Sequence, residues 1–410
     1  MRTKNRWLIA LSAVAIHVSI GSAYAYSVFK RPLAEALGWS STETSLAFTV
    51  AIFCLGLSAA VFGPFVERRG PRVSAFVAAV LFSAGHMVSG LAVHLGSLAL
   101  FFVGYGVIGG VGLGIGYISP VSTLVKWFPD RRGMATGMAV LGFGAGAMLA
   151  SPLAARLIES AGIPLTFAIL GGMFLAMMAA GALYIERPPA GWAPAGMAEG
   201  RTRTRIVADL GQLTSVEAVR TPRFWMLWVM MFINISAGIK LISVASPLAQ
   251  DQVGMTAVAA AAMVGIMGLF NGVGRIGWAS LSDYIGRANI FILFFAVQTV
   301  AFLLLPRVSD PLVFQILLFT VLTMYGGGFA SLPAFIGDLF GTRQLAAIHG
   351  LLLTAWSMAG IAGPMIVAYV RDTTGSYAIS FHIFAALLAV AFVTSLLMAQ
   401  NMRQVRRLAV

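Results

Sequence analysis

The chain has 410 residues, 59% hydrophobic and only 10% charged, with a mean hydropathy of +0.90. No water-soluble globular domain has that composition, so soluble enzymes are excluded as a class. The formal net charge of +13 would suggest a nucleic-acid partner in a soluble protein, but its placement along this chain gives a different reading.

Arg2, Lys4 and Arg6 precede an apolar run that contains Ala23-Tyr24-Ala25, which imitates a secretory signal with its cleavage site. Cleavage would leave eleven apolar stretches and break the repeat described below, so the run is read as a first membrane span. Stretches able to cross the hydrocarbon core are expected at about 7–29, 45–65, 73–93, 98–124, 134–157 and 163–185, then at 223–248, 257–280, 289–305, 311–336, 345–370 and 377–402. The fold class is therefore an all-α membrane protein with twelve transmembrane helices. Residues 1–186 are expected to form one six-helix bundle, 187–222 a polar linker, and 223–410 a second bundle. The linker carries Arg-Pro-Pro-Ala-Gly-Trp-Ala-Pro (187–194) and Arg-Thr-Arg-Thr-Arg (201–205), read as a charge clamp on orientation rather than a nucleic-acid site.

Of the 27 Lys and Arg, only Lys30, Arg31, Arg156, Arg307 and Arg371 fall on one side of this topology. Lys240 and Arg275 fall inside spans, and the other 20 share the side of both termini. That asymmetry is the positive-inside rule, which places both termini in the cytoplasm of a bacterial-type inner membrane. The basic excess also suits anionic lipid.

The two sets of spans repeat. An offset of about 212 residues pairs Phe128 with Phe340, Arg131 with Arg343, Ser119 with Ser331 and Pro152 with Pro364. Glu67-Arg-Arg-Gly70, after the second span, matches Asp283-Tyr-Ile-Gly286, after the eighth. Parallel repeats joined by a linker are the signature of an alternating-access carrier whose site lies between the halves. The loop charges Glu67, Arg68, Asp130, Arg131, Asp283 and Arg287 are read as gating contacts.

Arg275 lies within Asn271-Gly-Val-Gly-Arg-Ile-Gly277. An arginine at the centre of a membrane helix costs about 2.5–3.5 kcal/mol even on lenient insertion scales, so it is read as an anion site rather than as a side chain snorkelling to the cytoplasmic headgroups near the loop of Asp283. Tyr117 closes a glycine-rich apolar run (104–116) that could let its helix bend. Tyr117 and Tyr325 are candidate hydrogen-bond donors to a carboxylate. His17, Gly21, Tyr24 and Val28 recur on one helical face. The membrane cation Lys240 either snorkels outward, attracts anions, or supplies a second positive charge. None of the fourteen acids falls in a predicted span interior, so proton coupling would have to use His17 or His349. A lone buried arginine without a carboxylate also suits obligatory exchange, because a bound anion lowers the cost of enclosing it. Both couplings stay open. The single cysteine, Cys54, leaves no intrachain disulfide and no cysteine metal cluster. No cofactor or metal is expected, and no ligand spacing or nucleophile–base pair suggests an enzyme.

Over nearly its whole length the chain resembles the major facilitator superfamily. The loop Gly63-Pro-Phe-Val-Glu-Arg-Arg-Gly-Pro-Arg72 is similar to that superfamily's loop signature. Three further strings resemble the oxalate/formate antiporters and the related monocarboxylate transporters: Trp127-Phe-Pro-Asp-Arg-Arg-Gly133, Thr221-Pro-Arg-Phe-Trp-Met-Leu-Trp228, and Asn271-Gly-x-x-Arg275 followed by Ser282-Asp-Tyr-Ile-Gly-Arg287. The resemblance implies the major facilitator fold, with two pseudo-symmetric bundles and the substrate carboxylate on Arg275. The oxalate carriers' second cation falls on Trp356 here. The acidic and lysine partners of the animal monocarboxylate transporters fall on Asn271 and Val28, so their proton relay does not carry over. One arginine balances one carboxylate, and an unpaired second charge would be strongly disfavoured. The expected substrate is a small organic anion with one carboxylate, such as lactate, pyruvate or formate, moved by a monomer, with protons as a possible partner and no nucleic acid. Trp356, Asn271 and Tyr24 join the expected binding set. An oxalate-type exchanger using Lys240 with Arg275 is the first alternative. A multidrug proton antiporter, which would need a membrane carboxylate, is less well supported.

Overall fold

The computed structural model describes residues 4–194, Met197 and 209–408. The arginine string 201–205 lies outside the described residues. Twelve crossing helices follow in order: α1 Arg6–Leu37, α2 Ser41–Arg69, α3 Pro71–His94, α4 Leu98–Trp127, α5 and α6 within Arg132–Tyr184, α7 Pro222–Val253, α8 Ala257–Ile285, α9 Arg287–Arg307, α10 Pro311–Phe340, α11 Leu345–Thr374 and α12 Ala378–Leu408. A short helix, Ser215–Val219, precedes α7.

The stretch Arg132–Tyr184 would measure about 80 Å as one straight helix, far more than a bilayer core. It breaks at Gly162, whose φ of 77° and ψ of 167° are not helical. Pro164 follows the break, so the stretch is two crossings. Three other helices are broken or distorted in mid-span. In α1 the turn Ser22–Tyr26 is a 3₁₀ helix, which disrupts the single face predicted for His17, Gly21, Tyr24 and Val28. In α4 the glycine-rich segment Phe102–Gly109 is a π-helix. In α11 the α-helix is interrupted at Leu353, three residues before Trp356. Irregular backbone at membrane depth is tolerated where protein or a polar cavity meets its freed groups.

Several helices outrun their apolar stretches. Lys30 and Arg31 suggest an end to α1, yet it continues to Leu37, with Arg31 paired to Glu35 at 2.6 Å and Lys30 donating to Ser45 Oγ at 2.9 Å. On the opposite face of the protein, α8 and α10 run on to Ile285 and Phe340. Asp283 and Asp338 are therefore buried in last helical turns. The periphery stays apolar, as lipid requires; Val258 is 82% exposed.

Candidate functional site

Arg275 projects from α8 toward α5 and is 4% exposed. Its Nη1 donates to the Val140 carbonyl at 2.7 Å, while its buried Nε has no partner. The side chain does not turn toward Asp283, whose carboxylate is engaged elsewhere. Asn271, one turn earlier, leaves Oδ1 buried and unpartnered. Gly326 on α10 lets this wall come close: a Cβ there would collide with the Asn271 carbonyl and stand 3.1 Å from Arg275 Cγ.

Around this point five other helices contribute rings. Tyr117 of α4 is 1% exposed and lies edge-on to His17 of α1, at 5.4 Å between centroids, and to Trp356 of α11, at 5.6 Å. His349 lies 5.7 Å from the same tyrosine. Phe143 of α5 bridges Tyr117 and Tyr24, and Phe329 packs on Trp356 at 4.7 Å and on Tyr325 at 5.7 Å. The Tyr117 hydroxyl, His17 Nε2 and both ring nitrogens of His349 are buried without a partner. A stranded polar group costs about 1–3 kcal/mol, and these cluster on helices from both sequence halves. An acceptor with a negative charge would satisfy the guanidinium and the hydroxyl together; an apolar guest would satisfy neither. The structure thus brings together Arg275, Asn271, Tyr117, Trp356, His17 and His349, with Tyr24 and Tyr325 joined through phenylalanine rings.

Lys240 belongs to a different place, which corrects its expected roles. It is fully buried within the second set of helices, with Nζ 3.0 Å from the Phe381 ring centroid, 5.0 Å from Phe302 and 5.3 Å from Phe384. The amine neither snorkels outward nor joins the Arg275 cluster. The apolar pattern of α7 could not reveal this, because α9 and α12 supply the cage. Cation–π attraction is what compensates the amine there.

The face that carries the chain termini is closed by a symmetric set of caps. Asp283, at the end of α8, accepts from the Gly133 and Met134 amides at the start of α5, at 2.8 and 3.0 Å, and pairs with Arg287. Glu67, at the end of α2, accepts from the Ala346 amide at the start of α11 at 2.7 Å and pairs with Lys126 at 2.9 Å. The 212-residue offset that relates the halves also carries Met134 onto Ala346, so each half caps the other at equivalent positions. Carboxylates suit these helix N-termini, with their unpaired amides and positive dipole end.

Three of the expected gating residues do not join these caps. Arg68 is exposed. Arg131 is half exposed and, among the described residues, pairs with its neighbour Asp130 at 3.8 Å. Asp130 pairs with Arg6 at 2.7 Å, inside the first set of helices. The cross-half arginine is instead Arg132, paired with Asp209 at 2.5 Å and with Asp338 at 3.2 Å. Asp338 also pairs with Arg287 at 3.3 Å. Arg131 is the non-helical residue just before α5 and Arg132 is its first residue, and sequence alone does not say which arginine turns inward. Asp338 was missed because the apolar run stops at 336, and Asp209 because it sits in the linker. Among the described residues, no group of three or more His, Cys, Asp or Glu is placed to hold a metal. Cys54 is a free, partly buried thiol.

The sequence profile of the Major Facilitator Superfamily matches residues 11–364. The oxalate:formate antiporter of Oxalobacter formigenes is 28% identical over 377 residues, covering 90% of this chain and 86% of that one. Monocarboxylate transporter 11 of Mus musculus is 26% identical over 390 residues, covering 92% and 83%. Among solved structures, the major facilitator transporter FucP in the outward conformation superposes with a TM-score of 0.76, covering 95% of this chain and 98% of that one at 15% identity.

Proposed function

This chain belongs to the Major Facilitator Superfamily, and on that premise we propose that it carries small monocarboxylates of the lactate, pyruvate and formate class by alternating access. It works as a monomer in a bacterial inner membrane, both termini cytoplasmic, with residues 1–186 and 223–410 rocking as two bundles about a site at Arg275 and 187–222 linking them.

The observation that carries this reading is the single permanent cation in the central cluster. Arg275 is buried against α5 of the opposite bundle, while Lys240 is caged elsewhere. A carboxylate there forms charge-assisted hydrogen bonds with the guanidinium fork and displaces the Val140 carbonyl as its partner. Tyr117 donates a further hydrogen bond, and Asn271 and Tyr325 frame the rear wall. Trp356, Phe143 and Tyr24 give apolar sides that suit a short alkyl group and leave no fixed charge for a second carboxylate. Formate and monocarboxylate stand in the names of two relatives, the oxalate:formate antiporter and monocarboxylate transporter 11, and the first name adds the dicarboxylate oxalate, the rival that the test below includes. The cap network holds the cytoplasmic side shut in the state described here.

The test is counterflow in proteoliposomes across a panel of lactate, pyruvate, formate, oxalate and succinate. Exchange of the monocarboxylates in preference to the dicarboxylates is expected; equal or better exchange of oxalate would overturn the single-charge reading.

A further inference from the structure

We propose that the central cluster takes up one proton with each carboxylate, and that His17 Nε2 is the atom that accepts it, with His349 as the second imidazole across Tyr117. This rests on the monocarboxylate reading and adds its coupling.

The tautomer of His17 follows from one contact. Its Nδ1 lies 3.0 Å from the Ala13 carbonyl, and a carbonyl only accepts, so Nδ1 carries the hydrogen. In the neutral ring Nε2 is then a bare lone pair. It is fully buried and has no donor. His349 is also fully buried and has neither nitrogen engaged. The two rings flank Tyr117 at 5.4 and 5.7 Å, and the charge of the arginine that would bind the anion acts on both Tyr117 and His17.

Tyr117 of α4 touches both rings and the charge of Arg275 on α8 acts on His17, while Tyr24 of α1 and Tyr325 of α10 stand around Arg275. No described carboxylate contacts either ring. Glu67, Asp283 and Asp338 are committed to the closed face. Imidazole is therefore the titrating chemistry on offer.

Joint uptake leaves the charge of the site the same empty and loaded. The empty site holds Arg275 alone, a net charge of one. Carboxylate and proton together restore that value: the anion sits on Arg275, and a proton from the outer water forms the second N–H of His17. Both leave on the other side, with no bond made or broken in the substrate. The empty arginine also has a partner of its own, the Val140 carbonyl at 2.7 Å. In the state described here the empty cation is therefore not left without a hydrogen-bond acceptor.

The experiment uses the full chain in liposomes loaded with a pH-sensitive dye, with lactate as the probe. Lactate added outside should acidify the interior. An inward proton gradient of one pH unit should drive about tenfold accumulation. His17→Gln keeps a polar side chain that does not titrate; it should lose both effects while still giving measurable, slower counterflow. His349→Gln should reduce proton movement and serves as the second variant if the first does not insert. Counterflow without proton movement in the unmodified chain, or undiminished proton movement in both variants, would overturn the histidine assignment alone. Absence of monocarboxylate counterflow in the unmodified chain would instead overturn the substrate reading beneath it.

Discussion

Asp283→Asn offers a quantitative probe of how the closed face is held. The carboxylate accepts two amides of α5 with its separate oxygens and also binds Arg287. Asparagine keeps one acceptor oxygen and turns an NH₂ toward the other amide, so at least one hydrogen bond to a charged group is lost, a contribution of about 1.5–3 kcal/mol. Loss of the anion beside the helix N-terminus removes about 0.3–1 kcal/mol more. Arg287 keeps Asp338, which spares the larger penalty of stranding a buried cation. A total near 3 kcal/mol would shift the balance of closed and open faces by roughly 150-fold. Thr136 reports on this seam, because its hydroxyl donates to the Ala330 carbonyl of the opposite half at 2.7 Å and is buried. With Cys54→Ser as background, Thr136→Cys should react with a membrane-permeant maleimide at least tenfold faster when Asp283→Asn is added. An unchanged rate would refute the cap as the element that holds this face shut.

Glu67→Gln, at the equivalent cap on α11, should raise the same labelling rate by a similar factor, and the two changes should add because the sites share no partner. Trp356→Lys should place a second cation beside Arg275 and make oxalate a competitor of lactate uptake; oxalate still failing to compete would remove α11 from charge selection. Lys240→Met keeps the volume of the caged side chain and removes its charge. The melting temperature should stay level or rise and lactate uptake should persist, whereas a tenfold loss of uptake would return Lys240 to the anion path.

The sequence carries the apolar runs, the repeat offset and the isolated arginine, because each depends on composition or spacing along one helix. Arg275 was legible from its isolation in an apolar run and Tyr117 as the polar residue closing a glycine-rich one, whereas Asn271 and Trp356 entered only through the family resemblance. What it carries poorly is azimuth. Hydropathy marks α7 as a span but not that Lys240 turns toward Phe302, Phe381 and Phe384 of later helices. Arg131 and Arg132 look alike in sequence, and the packing of α5 against α8 and α10 selects the second. The last turns of α8 and α10 are helical although no longer apolar, since Asp283 and Asp338 find cations and amides from the other half. The 3₁₀ turn in α1 is equally hidden, since it follows Gly21, whose backbone packs against that of Phe143 on α5.

The central claim is that substrate carboxylate rests on the Arg275 guanidinium, and lactate counterflow by Arg275→Lys tests it most directly. Lysine preserves the charge but not the planar fork. Exchange should fall by about tenfold to a hundredfold, corresponding to roughly 1.4–2.8 kcal/mol, with the variant still inserted and folded. Exchange at the rate of the unmodified chain would show that the anion is held elsewhere.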